Sequence, residues 1–92
     1  MPSPTCPKDV AVLVLNWNGL ELLRSFLPSW VKFTPEEADL IIIDNGSTDG
    51  SVAFVQEHYP EVKLVAFTEN YGFAAGYNKA IAELGYKSVV LL

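Results

Sequence analysis

Ile41-Ile42-Ile43-Asp44-Asn45-Gly46-Ser47-Thr48-Asp49-Gly50-Ser51 is the stretch from which the rest of the chain is read. An apolar, β-branched run stops at a carboxylate. A loop of turn-forming residues follows, and a helix can start at Ser51. In a sheet of parallel strands, ligands bind just beyond the carboxyl ends of the strands. On the N-terminal side, Val10 to Leu15 is a second apolar run, and it leads into Asn16-Trp17-Asn18-Gly19. On the C-terminal side, Val62 to Phe67 leads into Asn70-Tyr71-Gly72. The run Val10 to Leu15 is short, continuous and β-branched, which suits a strand covered on both faces.

Helical spacing fills the gaps between the strands. Leu20, Leu22, Leu23, Phe26, Leu27, Trp30 and Val31 form a first helix, with Asn18 as its N-cap. Pro28 is expected to kink or split it, since proline lacks an N–H and crowds the preceding turn. Residues 34–39 form a polar connection or a short helical turn. A short helix runs from Ser51 to Tyr59 and is stopped by Pro60. A third covers Gly72 to Leu84, with Phe73, Tyr77, Ala80, Ile81 and Leu84 on one face and Gly85 at its end. Ser88 to Leu92 opens a fourth strand. The order βαβαβαβ predicts a parallel, Rossmann-like sheet in a three-layer α/β/α arrangement, with right-handed crossovers. All the strand-to-helix loops then meet on one rim.

The composition is that of one globular domain. Of 92 residues, half are hydrophobic and 18% charged, outside the disordered range. The formal net charge is −5, and the six lysines and arginines are scattered. This argues against nucleic acid as a partner, which needs a basic stripe. Cys6 is the one cysteine, so no intramolecular disulfide and no zinc spacing exist. Residues 1–9 hold three prolines and read as an irregular tail with neither a basic leader nor an apolar stretch. Residues 10–92 form the domain. A cytoplasmic location is expected. The last residues, Leu91-Leu92, fall on an apolar strand, from which a fragment of a longer enzyme is expected.

On the rim, Asp44 is the foremost candidate, because a strand-ending carboxylate can accept hydrogen bonds from a base imide or a ribose diol. Its alternative is a local Asx turn, but Ser47, Thr48 or Asp49 already serves as a cap for the next helix. Asn16 reads equally as a pocket wall or a turn residue, Asn18 as a cap and Trp17 as core or rim packing rather than a stacking platform. Asn70 reads as functional. Asn78 reads as a buried asparagine tying down a neighbouring loop. The small residues opening the third helix leave N–H groups free to face an anion. His58 and the Glu36-Glu37 pair read as surface, and the aromatics at helical spacing as core. No Gly-x-Gly-x-x-Gly follows the first strand, and there is no P-loop, nucleophile elbow or acidic pair of a phospho-acceptor domain.

Three motifs in order carry a resemblance: Val14-Leu15-Asn16-Trp17-Asn18-Gly19, Ile43 to Ser51, and Asn70-Tyr71-Gly72-Phe73-Ala74-Ala75-Gly76-Tyr77-Asn78. Over Val10–Leu92 the chain resembles the N-terminal half of family 2 glycosyltransferases of the A-type fold, in their rhamnosyltransferase-like branch. The resemblance implies transfer of a sugar from a UDP- or dTDP-linked donor to the hydroxyl of a saccharide or lipid-linked acceptor, with inversion. It implies a nucleotide site built from Asn16, Trp17, Asn18, Asp44, Asn45, Ser47, Asn70, Gly72 and Gly76. It also implies an Asp-x-Asp motif just after Leu92 that holds Mg2+ or Mn2+, so that the fragment binds no metal, holds no catalytic residue and is inactive alone. A peripheral position at the inner face of the membrane is a further implication for the full-length protein. Tyr77 stands where many relatives carry an arginine, so no cationic contact is expected from that helix. Two other readings stand beside this one: a non-catalytic α/β binding or interaction module, and a sugar-phosphate nucleotidyltransferase. The latter would need a Gly- and Arg-rich loop after the first strand. Self-association through the exposed fourth strand is expected of the fragment.

Overall fold

The computed structural model describes residues 9–92, so the tail expected over residues 1–9 lies outside the described residues except for Asp9. Seven elements follow one another: β1 (Val10–Asn16), α1 (Leu20–Phe33), β2 (Ala38–Asn45), α2 (Ser51–His58), β3 (Lys63–Phe67), α3 (Phe73–Leu84) and β4 (Ser88–Leu91). The four strands form a single sheet in the order β3-β2-β1-β4, and every neighbouring pair is parallel. Strand order reverses between β1 and β4. The chain builds outward from β1 through β2 to β3, then crosses back to the other side of β1.

The strand period of two sorts the core into two faces. Ala11, Leu13, Ile41 and Ile43 point to one side and pack with Tyr77 and Ala80 of α3. Val14, Leu40 and Ile42 point to the other and pack with Leu23 and Leu27 of α1 and Val55 of α2. Ile41, Ile42 and Ile43 are all fully buried, as a strand covered on both faces requires. The layers are therefore α1 and α2, the sheet, and α3.

Local expectations differ from the structure in three places. Pro28 does not split α1, which runs unbroken from Leu20 to Phe33. Pro28 and Arg24 are both exposed, so the Arg24 carbonyl left without an N–H partner faces solvent, which keeps the cost low. Asn18 is not a helix cap. Gly19 occupies that position without a side-chain bond, and Asn18 sits at φ 50°. The aromatics at helical spacing are not uniformly core: Tyr77 is buried, whereas Phe26, Phe33 and Phe73 are exposed. His58, Glu36 and Glu37 are exposed, as read.

At the end of the sheet opposite the rim, Tyr86 donates to Asp39 Oδ2 (2.6 Å), and Lys63 Nζ lies 3.1 Å from the Tyr86 hydroxyl and 3.2 Å from Asp39. This cluster ties the α3–β4 connection to β2 and β3. The hydrogen bond to Tyr86, opposed by partial burial and helped by Asp39, raises the Lys63 pKa.

Candidate functional site: the rim at the strand carboxyl ends

Register and pleat build the rim. In the β1–β2 ladder Asn16 lies directly beside Asp44, so both side chains leave the sheet on the α1/α2 face. Asn45, one residue on, leaves on the α3 face. These adjacent residues each hold a different loop.

On the α1/α2 face, Asp44 is 1% exposed and surrounded by donors. Its Oδ1 accepts from Asn16 Nδ2 (3.0 Å) and from the Ser47 hydroxyl (2.7 Å), and its Oδ2 accepts from the Ser47 backbone N–H (2.9 Å). Ser47 Oγ in turn accepts from the Asn18 N–H (2.8 Å) and Asn16 Nδ2 (3.3 Å). Asn18 Oδ1 accepts from the Thr48 N–H (2.8 Å). Loops 16–19 and 45–50 are thus stitched together side chain to backbone in both directions. Gly19 completes the fit, since a Cβ there would stand 2.5 Å from Asn16 Oδ1.

On the α3 face, Asn45 is also 1% exposed and makes three bonds. Its Nδ2 donates to Asn70 Oδ1 and to the Gly72 carbonyl, and its Oδ1 accepts from the Tyr71 N–H, each at 3.0 Å. Asn70 Oδ1 also accepts from the Gly72 N–H (2.7 Å). Gly46, at φ 80°, lies against the backbone of the same loop, where a Cβ would meet the Glu69 carbonyl carbon at 2.6 Å. Asn45, Asn70, Gly72 and Gly76 therefore act together as a second clamp.

Asp49 joins the two helices of the first face. Its Oδ2 accepts from the N–H of Leu20, the first residue of α1 (3.0 Å), and its Oδ1 accepts from the N–H and hydroxyl of Ser51, the first residue of α2. The Ser51 hydroxyl, opposed by desolvation and reinforced by the two backbone bonds, holds the Asp49 pKa below the ordinary aspartate value. Both helix N-termini thereby receive a negative charge. The sequence reading took Asp49 as a local cap and missed its reach to α1, since local sequence carries no sign of a partner so far away.

All nine residues expected at the site lie on this rim. Asn16, Asp44 and Asn45 are interior and Ser47 is half-buried, whereas Trp17, Asn18, Asn70 and Gly72 face solvent and Gly76, in the first turn of α3, is buried against Asn45 and Leu15. Trp17 is 56% exposed, so it is not core packing. Asn78 is exposed and does not tie down a loop. The rim is an open surface. A cavity of about 240 Å3 lies at the opposite edge of the sheet, lined by Glu36, Asp39, Glu61 and Lys63 among others. No group of three His, Cys, Asp or Glu among the described residues could hold a metal. Asp44 and Asp49 already spend both carboxylate oxygens on protein donors, so the residues present do not fit a divalent cation.

The family model for "Glycosyl transferase family 2" matches residues 11–92. An N-acetylglucosaminyl-diphospho-decaprenol L-rhamnosyltransferase of Mycobacterium tuberculosis is 36% identical over 74 residues, 80% of this chain and 24% of that protein. The succinoglycan biosynthesis protein ExoU of Rhizobium meliloti is 33% identical over 79 residues, 83% of this chain and 23% of that one. Among solved structures, a mannosyltransferase from Pyrobaculum calidifontis, in complex with GDP-Man and Mn2+, superposes with a TM-score of 0.66 at 27% identity. That match covers 89% of this chain and 26% of the other. The chain spans about a quarter of the length of each of these relatives.

Proposed function

The chain belongs to glycosyl transferase family 2, and on that premise we propose that its rim is the nucleoside-facing part of a donor site. The protein of which it is the donor-binding part moves a sugar from a nucleoside-diphosphate sugar to an acceptor hydroxyl. Support for the class of donor comes from the neighbour that carries GDP-Man and Mn2+. UDP- and dTDP-linked sugars are the donors we favour. The divalent cation belongs with the diphosphate, where it would neutralise charge on the leaving group. Nothing in residues 9–92 is assigned to it.

The observation that carries this reading is the convergence of Asn16, Asp44 and Asn45 on one rim, each locking a loop whose outer surface is exposed. The interior residues are the frame. The surface they present includes Trp17, Asn18, Thr48, Asn70 and Tyr71, two aromatic rings among amides and hydroxyls, with Lys79 Nζ over the Tyr71 ring at 5.4 Å. Such a surface suits a flat heterocycle with polar edges better than a charged peptide or an aliphatic chain. Asp44 itself reaches a base only by exchange. Its Oδ1 has two donors, and a base imide N–H would replace the Ser47 hydroxyl.

Titration of the 15N-labelled protein with UDP, dTDP and GDP tests the reading. Amide shifts confined to residues 16–19, 44–51 and 70–76 are expected for at least one of them. Shifts elsewhere, or none at millimolar nucleotide, would overturn it.

A further inference from the structure

Tyr77 has no part in the two clamps described above, and its ring is core. Its hydroxyl lies where a backbone bond would otherwise form. Strands β1 and β4 pair in register from Val10↔Ser88 to Leu13↔Leu91. Beyond that, the Leu92 N–H donates to the Leu13 carbonyl at 2.9 Å. In a parallel ladder a residue's N–H and C=O reach neighbours two residues apart on the adjoining strand. The next rung would therefore run from the Leu15 N–H to the Leu92 carbonyl. Instead, the Leu15 N–H donates to the Tyr77 hydroxyl (3.0 Å), and that hydroxyl donates to the Leu92 carbonyl (3.0 Å). Two bonds in series replace one.

We infer that Tyr77 is a positioning residue whose hydroxyl, spliced into the β1–β4 ladder, holds these strands apart and sets the width of the crevice at the point where strand order reverses. In open parallel sheets that crevice is where ligands enter. Several features fit the task. Tyr77 is 3% exposed, so its ring is fixed by packing. The hydroxyl has one acceptor and one donor bond, and both backbone groups that it separates stay satisfied. Gly76 lets α3 descend close to Leu15 and Asn45, which brings the ring of the next residue within reach of the ladder. Phe73 packs edge-on against Tyr77 at 5.1 Å and closes the outer side. A cationic side chain at this position could not donate and accept in the same rung, whereas a phenol can.

The effect on ligand binding rests on the nucleotide reading above, and the test separates the two. In Tyr77→Phe the ring remains and the spacer is lost. Scalar coupling across a hydrogen bond from Leu15 N to the Leu92 carbonyl carbon should be absent in the wild type and present in the variant. Affinity for the best of UDP, dTDP and GDP should fall about tenfold, since small displacements at a ligand site are costly. Coupling in the wild type, no coupling in the variant, or closure of the rung without loss of affinity would each overturn the inference. If the wild type binds none of the nucleotides, the nucleotide reading falls, and the coupling alone decides the spacer. Should Tyr77→Phe not fold, the wild type decides alone. A Tyr77 hydroxyl proton slow to exchange with water and close to the Leu15 amide proton by nuclear Overhauser contact is expected, and a hydroxyl that exchanges freely would overturn the inference.

Discussion

At the scale of single residues, Asp49 shows how one carboxylate organises more than its own loop. It caps α1 and α2 together, although Leu20 lies 29 residues away in sequence. Replacing an N-cap acceptor costs about 0.5–2 kcal/mol. Asp49→Asn keeps the shape and one acceptor oxygen but loses the charge at both helix ends. We expect a loss of about 1 kcal/mol at pH 7, which in a domain of this size lowers the melting temperature by roughly 4–8 °C. The difference depends on pH in a definite sense. Folding lowers the Asp49 pKa below its ordinary 3.8, so in the acid range the unfolded chain holds more protons than the folded one. The stabilisation is whole above that ordinary value and is lost as pH falls through the lower folded value. Melting curves of wild type and Asp49→Asn should therefore converge as pH falls through that lowered value, and a constant gap would show that charge plays no part. The place of Asp44 at the end of a strand was legible from sequence because it ends an apolar run. The tasks of Asp49 and Tyr77 were not, because their partners are reached only through the folded sheet.

At the scale of elements, the alternation of apolar runs with helical spacing was enough to give seven elements, their order and the parallel sheet. Boundaries shifted by a residue or two where small or polar residues continue a strand, as Ala38, Asp39, Asp44 and Asn45 do in β2. Pro28 does not split α1, because an exposed helix face can leave one carbonyl to water. The Phe73 expectation failed because helical spacing tells which residues share a face and not how far the neighbouring layer extends over it. What sequence could not show is how closely α3 lies on the sheet. A Cβ on Gly76 would stand 3.0 Å from Asn45 Nδ2 and 3.1 Å from Leu15 Cδ1. Alanine is favoured over glycine inside a helix by about 1 kcal/mol. Overpacking costs typically 1–3 kcal/mol, and here the neighbour cannot yield freely, since Asn45 is held by three bonds. Gly76→Ala is therefore expected to destabilise by about 1 kcal/mol net. Its sharpest signature is in the amides of Tyr71 and Gly72, which should lose protection from hydrogen exchange as the Asn45 clamp loosens. A stabilised variant with unchanged exchange would mean that α3 can lift without disturbing the loop.

At the scale of the whole molecule, the two faces of the sheet are unequally covered. α3 lies over β1 and β2 on one side. On the other, α1 packs on Val14, Leu40 and Ile42 of β1 and β2 and α2 lies against β3, and the β4 flank carries an apolar groove lined by Val12, Trp30, Phe33, Pro35, Val90 and Leu92. The exposed side chains of Leu22, Phe26 and Phe33 continue this surface along α1, and Phe33 is 77% exposed. β4 is also an edge strand, with a row of backbone groups turned away from β1. Proteins usually blunt such an edge with charge or proline, and β4 reads Ser-Val-Val-Leu. Contiguous exposed apolar surface of this kind favours association. The 92-residue chain in isolation is therefore expected to self-associate as concentration rises, through the β4 edge and the groove beside it. Sedimentation velocity over a hundredfold range of concentration measures this directly. The double variant Phe33→Glu, Val90→Lys places opposite charges on the two walls of the groove, both at exposed positions, so the fold is left intact. It should sediment as a monomer with the melting temperature of the wild type at low concentration. A wild type that is monomeric throughout would overturn the expectation. Association undiminished in the variant would move the contact to the exposed aromatic rim of Trp17, Tyr71 and Phe73, and nucleotide would then compete with it.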